Sequence, residues 1–404
     1  MKRLLEEEES RGWRSFGGDV CGECVAEGFL AQFVAENASA LQCDFCGQSS
    51  TVPIAVDSDD VMEVIGRGLY REWTHPVQIM ARDEGEWVGR TYDAWEVLEV
   101  VGINCGNSFG QEVAQAFLDD LWCEADPYGL ESHEILSHGW SRFAKHVKYH
   151  TRYVFLLEAE QDEYPDRDDI HPGLMLQRLE EVIRATGIIR RLSKGTRFVR
   201  ARDHEPGKNP ASAAELGTPL PKFATKPNRM SPAGIPMFYG SSDAGTAIAE
   251  MAHSGRAMVT LAEFVTLREL TVVDLSQVPA IPSLFDDEHA RDRPAFLFLQ
   301  DFATAISKPI ASDGREHIDY VPTQIVTDYL RRIFRVDGYD SLDGLLYRSS
   351  RRQEGECCVL FVENNECVEE GHQHERPVLL LDRASITRVG LPKRESGPAP
   401  SEKA

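Results

Sequence analysis

The chain has 404 residues, 42% of them apolar and 27% charged, and a formal net charge of −23. That length allows two or three domains, and the apolar share supports buried cores. A field of that sign repels nucleic acid and anionic membrane, so a nucleic-acid partner is disfavoured and any site for an anionic ligand needs arginines of its own.

The N-terminal MKRLLEEEES offers two leucines and then acids, unlike an export signal. No window approaches the ~18 apolar residues of a membrane span. A cytoplasmic location is expected, where the nine cysteines are thiols or metal ligands rather than disulfides. Four of them have ligand spacing: Cys21-Gly-Glu-Cys24 and Cys43-Asp-Phe-Cys46, 18 residues apart. Two such turns present four thiolates to one tetrahedral ion, with Gly47 placed where a knuckle needs positive φ, and structural zinc is the expected cofactor. Cys105, Cys123, Cys357, Cys358 and Cys367 lack that spacing and read as small buried side chains.

From Asp59 to Gly187 the periodicity is helical. Val61, Val64, Ile65 and Leu69 form one stripe, and Val113, Phe117, Leu118 and Leu121 a second. Phe143, Val147, His150 and Val154 form a third, and Leu176, Leu179 and Ile183 a fourth. Four such helices suggest a small bundle. The acidic stretch Gln161 to His171 reads as an exposed loop. Arg142 and His146 share a helix at a separation of three intervening residues, where helical ribonucleases of the HEPN type leave four to six. That spacing and the net charge favour a packing or surface role over nuclease chemistry.

Strands return after Gly195. TRFVRAR alternates, with Phe198 and Arg200 on one face and Val199 on the other. Lys208 to Lys226 reads as a long exposed loop. The stretch RMSPAGIPMFYGSSDAGTAIAEMA, Arg229 to Ala252, is the one around which the C-terminal half is organised. It reads as a loop, a strand from Met237 to Gly240, and a helix capped by Ser242 or Asp243. Tyr239 and Glu250 then lie near one mouth, and Arg229 enters it from the loop before. An arginine, an aromatic and a carboxylate converging in this way suit a phosphorylated nucleotide with a cleavable sugar bond. MVTLAEFVTL and LTVVDL read as strands. Pro294 opens a helix with Leu299, Phe302 and Ile306 inward, and Pro322 another with Ile325, Val326, Tyr329 and Ile333 inward. DGLLYRSSR and CCVLFVE read as two strands, PVLLLDRASITRVGL as one or two more, and KRESGPAPSEKA as a disordered tail.

FVRAR, RMSPAGIPMFYG, TAIAE and DGLLYRSS, followed by VLF, stand in this order. This set resembles the RES domain over roughly Leu192 to Leu391. By CGEC, CDFCG and the aromatic run WSRFAKHVKYHTRYVF, the N-terminal part resembles the HEPN-like domain that accompanies RES domains in longer proteins. The expected fold is α+β: a zinc-knuckle segment (1–56), a helical HEPN-like domain (57–187), a mixed α/β RES domain related to ADP-ribosyltransferases (192–391) and a tail (392–404).

The resemblance implies a toxin-like or stress-related enzyme that degrades NAD, with an antitoxin or regulatory protein as a partner. It matches Arg200 and Arg229 to the family's two arginines, Tyr239 to its tyrosine, Glu250 to its glutamate and Ser349 to its serine. Cys357 departs from it, standing where several RES sequences have asparagine. Expelling nicotinamide from NAD needs no general acid, because a cationic pyridine leaves as a neutral one. What needs stabilising is an oxocarbenium-like ribose, a task for the Glu250 carboxylate. Arginine forks suit the pyrophosphate. Tyr239 stacks on the nicotinamide or ribose, Ser349 bonds the ribose or carboxamide, and water or phosphate is the acceptor. Singly, each of these is an ordinary surface glutamate or arginine, strand tyrosine or turn serine. Tyr320, Thr323 and Gln324 in YVPTQ read as a supporting layer behind the site. The competing activities are transfer of ADP-ribose to a macromolecule, HEPN-type RNA cleavage, and nucleotide sensing without turnover.

Overall fold

A computed structural model describes residues 8, 10–158, 168–251, 258–308, 314–337, 340–371 and 375–390. The expected tail at 392–404 and most of the acidic stretch beginning at Gln161 lie outside them. The described chain divides into two compact units, Met1–Ser132 with Ala280–Pro294, and His133–Pro279 with Ala295–Ala404. No described helix is long and apolar enough to cross a membrane.

In the first unit, strands β1 (Asp19–Cys21) and β2 (Ala55–Asp57) pair antiparallel beside helix α1 (Gly28–Asn37). Helix α2 (Ser58–Glu72) follows, capped by the Asp57 carboxylate on the Asp59 N–H. Its expected stripe is buried, joined by Met62. Helices α3 (Ala94–Val100) and α4 (Ser108–Ala116) complete the core around Phe109 and Trp122. Leu284 and Phe285, from the separate stretch Ala280–Pro294, are buried in that same core. Phe285 lies so close to Gly68 that a Cβ there would come within 2.5 Å of its ring. Arg71 fixes the stretch further, donating to the Leu284 carbonyl at 2.8 Å and to Asp287 at 2.5 Å.

The four helical stripes do not form one bundle. α2 and α4 belong to the first unit, whereas α5 (Ser132–Tyr149) and α6 (Met175–Thr186) bury Phe143, Val147, Leu176 and Leu179 in the core of the second. Two stripes also end early. α4 stops at Ala116, before Leu118 and Leu121, and α5 stops at Tyr149, leaving Val154 56% exposed.

The second unit is built on a mixed nine-stranded sheet. Its strands in chain order are β3 (Ile189–Leu192), β4 (Arg197–His204), β5 (Phe238–Ser241), β6 (Met258–Thr266), β7 (Leu270–Asp274), β8 (Gly344–Arg348), β9 (Glu356–Leu360), β10 (Cys367–Val368) and β11 (Leu379–Gly390). Across the sheet the order is β10-β11-β6-β4-β5-β9-β8-β7-β3. β7–β8 and β10–β11 are parallel and the other pairs antiparallel. One face carries Tyr239, Tyr347, Cys357 and Val359 against α5, α6, α9 (Arg293–Ser307) and α11 (Val321–Arg332), and the other carries Phe198, Phe238, Cys358 and Leu360. Between α9 and α11 in sequence runs the short α10 (Glu316–Asp319).

The stretch Lys208 to Lys226 contains helix α7 (Ala213–Leu216), started by a reciprocal Ser212–Glu215 capping box and buried at Ala213 and Leu216. That S-x-x-E signal is visible in the sequence. Ile333 lies one residue past the end of α11 and is 63% exposed rather than inward.

Candidate active site

The site begins at β4. β4 pairs with β6 at eight consecutive positions, from Met258↔His204 to Val265↔Arg197. Toward β5 it keeps one registered pair among the described residues, Val199↔Ser241. Next to that pair the Arg200 guanidinium links the two strands: its Nη1 donates to the Tyr239 carbonyl at 2.6 Å. The same group sits 4.9 Å over the Phe238 ring. Arg200 is only 7% exposed. Among the described residues no carboxylate pairs with it, and its buried Nε has no hydrogen-bond partner. Desolvation, with help from the Arg202 charge, lowers its pKa from 12.5 to about 10, so it remains a cation at neutral pH. A buried cation without a counter-charge is costly unless something anionic arrives to neutralise it.

Arg229 comes from the irregular stretch before β5. Its Nη1 donates to the Ile306 carbonyl at the end of α9, and its own carbonyl accepts from Thr323 Oγ1 at 2.5 Å. Tyr239 lies on β5 itself. Its hydroxyl pairs with Ser231 Oγ at 2.9 Å, and burial raises its pKa to about 12, so the phenol is neutral.

Helix α8 (Ala244–Met251) delivers the carboxylate. Of the two candidate caps it is Asp243 that serves, accepting from the Thr246 N–H at 3.0 Å. Glu250 lies seven residues further on and receives the Ser349 hydroxyl at 2.5 Å. Ser349, 8% exposed and one residue past β8, also accepts from the backbone N–H groups of Arg351 and Arg352, at 3.1 and 3.2 Å. A hydroxyl has one proton. Ser349 directs it at Glu250, so its geometry is that of a carboxylate holder rather than a free donor to a ligand. The Glu250 charge also reaches Cys357, whose thiol is pushed up to about 12 by burial first and by Glu250 second.

Arg200, Arg229, Tyr239, Glu250 and Cys357 line a single cleft of about 630 Å³, a volume suited to a ligand of nucleotide size. Ser349 adjoins this lining through its bond to Glu250. Reading the sequence misses Arg202, Lys226 and Arg351 in the same lining. Arg202 has a signal, since it lies two residues beyond Arg200 and alternation puts both on one face. The cleft thus has five cationic side chains against two carboxylates, Asp203 and Glu250, in a chain of net charge −23. Phe223, 64% exposed, adds an aromatic ring to the lining.

Comparison with known families matches residues 36–161 to HEPN/RES N-terminal domain 1 and residues 197–381 to the RES domain. The chain carries a RES domain behind a HEPN/RES N-terminal domain. No curated protein and no solved structure matches it. All five expected site residues fall within the RES match, and its span runs from β4 into β11.

The HEPN/RES N-terminal match includes both members of the Arg142–His146 pair. Arg142 is ion-paired with Asp169, and the His146 ring stacks on His150 at 5.5 Å. Arg142 is exposed and its charge is engaged in a surface ion pair.

Ahead of the start of the HEPN/RES match and across it lies the cysteine cluster. The Sγ atoms of Cys21, Cys24, Cys43 and Cys46 lie within 4.8 Å of one another, with Cys21–Cys46 at 3.7 Å and Cys24–Cys43 at 3.8 Å. A tetrahedral ion with metal–sulfur bonds of ~2.3 Å requires sulfur–sulfur edges of about 3.8 Å. The donor set therefore fits a metal ion. Gly47 has φ +75° after the second knuckle, and the Cys21 N–H donates to Cys43 Sγ at 3.3 Å, a bond that favours thiolate. Four sulfurs leave no open coordination position, so such an ion would be structural. The other five cysteines are buried.

Proposed function

We propose that this protein binds NAD in the cleft between β4 and β5 and cleaves its nicotinamide–ribose bond, with water or inorganic phosphate as acceptor. The observation that carries the reading is Arg200: a buried guanidinium with no carboxylate partner among the described residues, lining the same cleft as Arg229 and Glu250. A RES domain points to an NAD-acting, toxin-like function, and this cleft has the groups that such a substrate requires.

Arg200 and Arg229 take the pyrophosphate by charge-assisted bonds, with Arg202, Lys226 and Arg351 raising the local positive potential. Glu250, held by Ser349, faces the nicotinamide ribose. As the glycosidic C–N bond breaks, its electron pair goes to the pyridine nitrogen and discharges it, and positive charge spreads over the ribose C–O unit. A fixed carboxylate in a partly buried site stabilises that charge more than the initial state. Water or a phosphate oxygen then forms the new bond to the anomeric carbon, and water gives its proton to solvent. Tyr239, neutral and fixed by Ser231, supplies a ring face for the nicotinamide or ribose. In the four-cysteine cluster the fitting ion is Zn²⁺, and its role is to hold the first unit together.

The test is chromatography of NAD incubated with the purified full-length chain, with and without phosphate. The expected products are nicotinamide with ADP-ribose, or nicotinamide with its phosphorylated form when phosphate is the acceptor. Intact NAD beside folded protein defeats the proposal. Label from adenylate-tagged NAD appearing on a macromolecule redirects it to ADP-ribosyl transfer.

A further inference from the structure

Arg229 stands on a stretch, 224–237, that has turns but no helix or strand. A cation on such a segment binds well only if something else holds its backbone, since ordering it at binding costs affinity. The first turns of α11 do this residue by residue. The Gln324 side-chain amide donates to the Asn228 carbonyl at 2.8 Å and to the Ser231 carbonyl at 3.3 Å. Thr323 Oγ1 shares its one proton between the Arg229 carbonyl at 2.5 Å and the Tyr320 carbonyl in its own helical turn at 3.0 Å. Thr327 Oγ1 lies 3.4 Å from Met230 Sδ. Asn228, Arg229 and Ser231 are thus each hydrogen-bonded to one helix, and Met230 packs against it, the Thr327 proton going to the Thr323 carbonyl at 2.7 Å.

The arrangement is closed on itself. Asn228 and Ser231 also exchange backbone bonds, at 2.8 and 3.3 Å, so the Gln324 amide spans both ends of a tight turn with Arg229 inside it. Ser231 Oγ in turn meets the Tyr239 hydroxyl at 2.9 Å. Gln324 and Thr323 are 8% and 9% exposed, so water does not readily replace these donors. Only a side chain with two N–H bonds can serve both carbonyls, and a carboxylate at position 324 would face two acceptors with none to give.

We infer that Gln324, assisted by Thr323, is the positioning residue for Arg229, and through Ser231 for Tyr239, so that helix α11 sets the affinity of the cleft for the pyrophosphate of its ligand. The inference rests on the proposed NAD reading for the identity of the ligand, and on the hydrogen bonds alone for the clamp.

The experiment is a double-mutant cycle in the full-length chain, with KM for NAD and calorimetric affinity for ADP as readouts. Gln324→Ala should weaken both by about tenfold, the loss expected for two bonds to buried carbonyls, while kcat changes far less. Gln324→Glu should be worse. Arg229→Ala with Gln324→Ala should lose less affinity than the product of the two single losses, because an absent guanidinium cannot be misplaced and only the link through Ser231 to Tyr239 is left to disturb. Thr323→Val, equal in shape, should show a smaller loss of the same kind and guards against a Gln324 variant that fails to fold. Effects that multiply in the double variant, or a fall in kcat at unchanged KM, overturn the inference while leaving NAD cleavage standing. Unaltered NAD alongside non-additive ADP affinities overturns the NAD reading and supports the clamp.

Discussion

Ser349 and Glu250, 99 positions apart in the chain, meet at 2.5 Å, and the serine's two lone pairs are taken by backbone N–H groups. The carboxylate is therefore presented from one direction by a group that cannot turn away. Glu250→Gln should lower NAD cleavage by about a hundredfold or more, the scale of losing a main electrostatic stabiliser. Ser349→Ala should cost about tenfold in kcat with KM little changed, as for one lost bond to a charged group. Steady-state kinetics on both variants decides this, and full activity in Glu250→Gln would remove Glu250 from the chemistry.

Gly355 packs against Ser349 and Thr246. A Cβ there would lie 2.7 Å from both Thr246 Oγ1 and Cγ2 and 3.1 Å from Ser349 Cβ. Interiors packed this closely transmit such an intrusion. Gly355→Ala should reduce NAD turnover by about tenfold, through displacement of Ser349, in a chain that still folds. Turnover equal to that of the unaltered chain shows that the serine's place is not critical.

Arg200 offers a test in which stability and binding move apart. A buried, unpaired cation is destabilising, and an apolar replacement of similar length relieves it. Arg200→Met should leave the melting temperature unchanged or higher while ADP affinity falls by about a hundredfold, the scale of a lost bidentate charge contact. Differential scanning fluorimetry and calorimetry read the two sides. A marked drop in melting temperature would mean that Arg200 chiefly braces the two strands.

Much of this cleft is legible in the sequence alone. Arg200, Arg229, Tyr239, Glu250 and Ser349 stand in ordered motifs, each with a local reason to be where it is: alternation along β4, a capped helix after β5, a turn after β8. What cannot be read is long-range. Nothing local tells that β4 keeps one pair with β5 and that Arg200 links the two strands, because register between strands is set by the whole sheet. Nor does helical periodicity say which helices share a core. The stripes of α2 and α5 look alike, and only packing assigns Val61 and Phe143 to different units. The capping box at Ser212 and Glu215 is readable, but the prolines around it make the stretch look like a loop.

Alkaline pH should weaken the second unit. Burial lifts Cys357 from its ordinary 9.0 to about 12 and Tyr239 from 10.0 to about 12. Both folded values lie above the unfolded ones, so above pH 9 the unfolded chain sheds these protons first. Their stabilising contribution is full below about pH 9 and is lost as the pH climbs toward 12. Urea midpoints should fall across that window, less steeply in Cys357→Ala, and the Cys357 thiol should resist iodoacetamide at pH 8 in the folded state. Rapid alkylation there would contradict its burial.

The cysteine cluster predicts about one bound zinc per chain, measurable by elemental analysis. Stripping it with a chelator, or replacing Cys43 with Ser, should lower the unfolding transition of the first unit. An unchanged transition after complete removal of metal would leave the cluster without a structural role.

The stretch Ala280–Pro294 buries Leu284 and Phe285 in a core whose other members precede residue 133. The two units are therefore interleaved along the polypeptide and are not beads on a string. A single break in the gene anywhere between positions 133 and 279 leaves one fragment with a hole and the other with an orphaned greasy patch. Recombination can pass this architecture on whole far more readily than it can trade its halves.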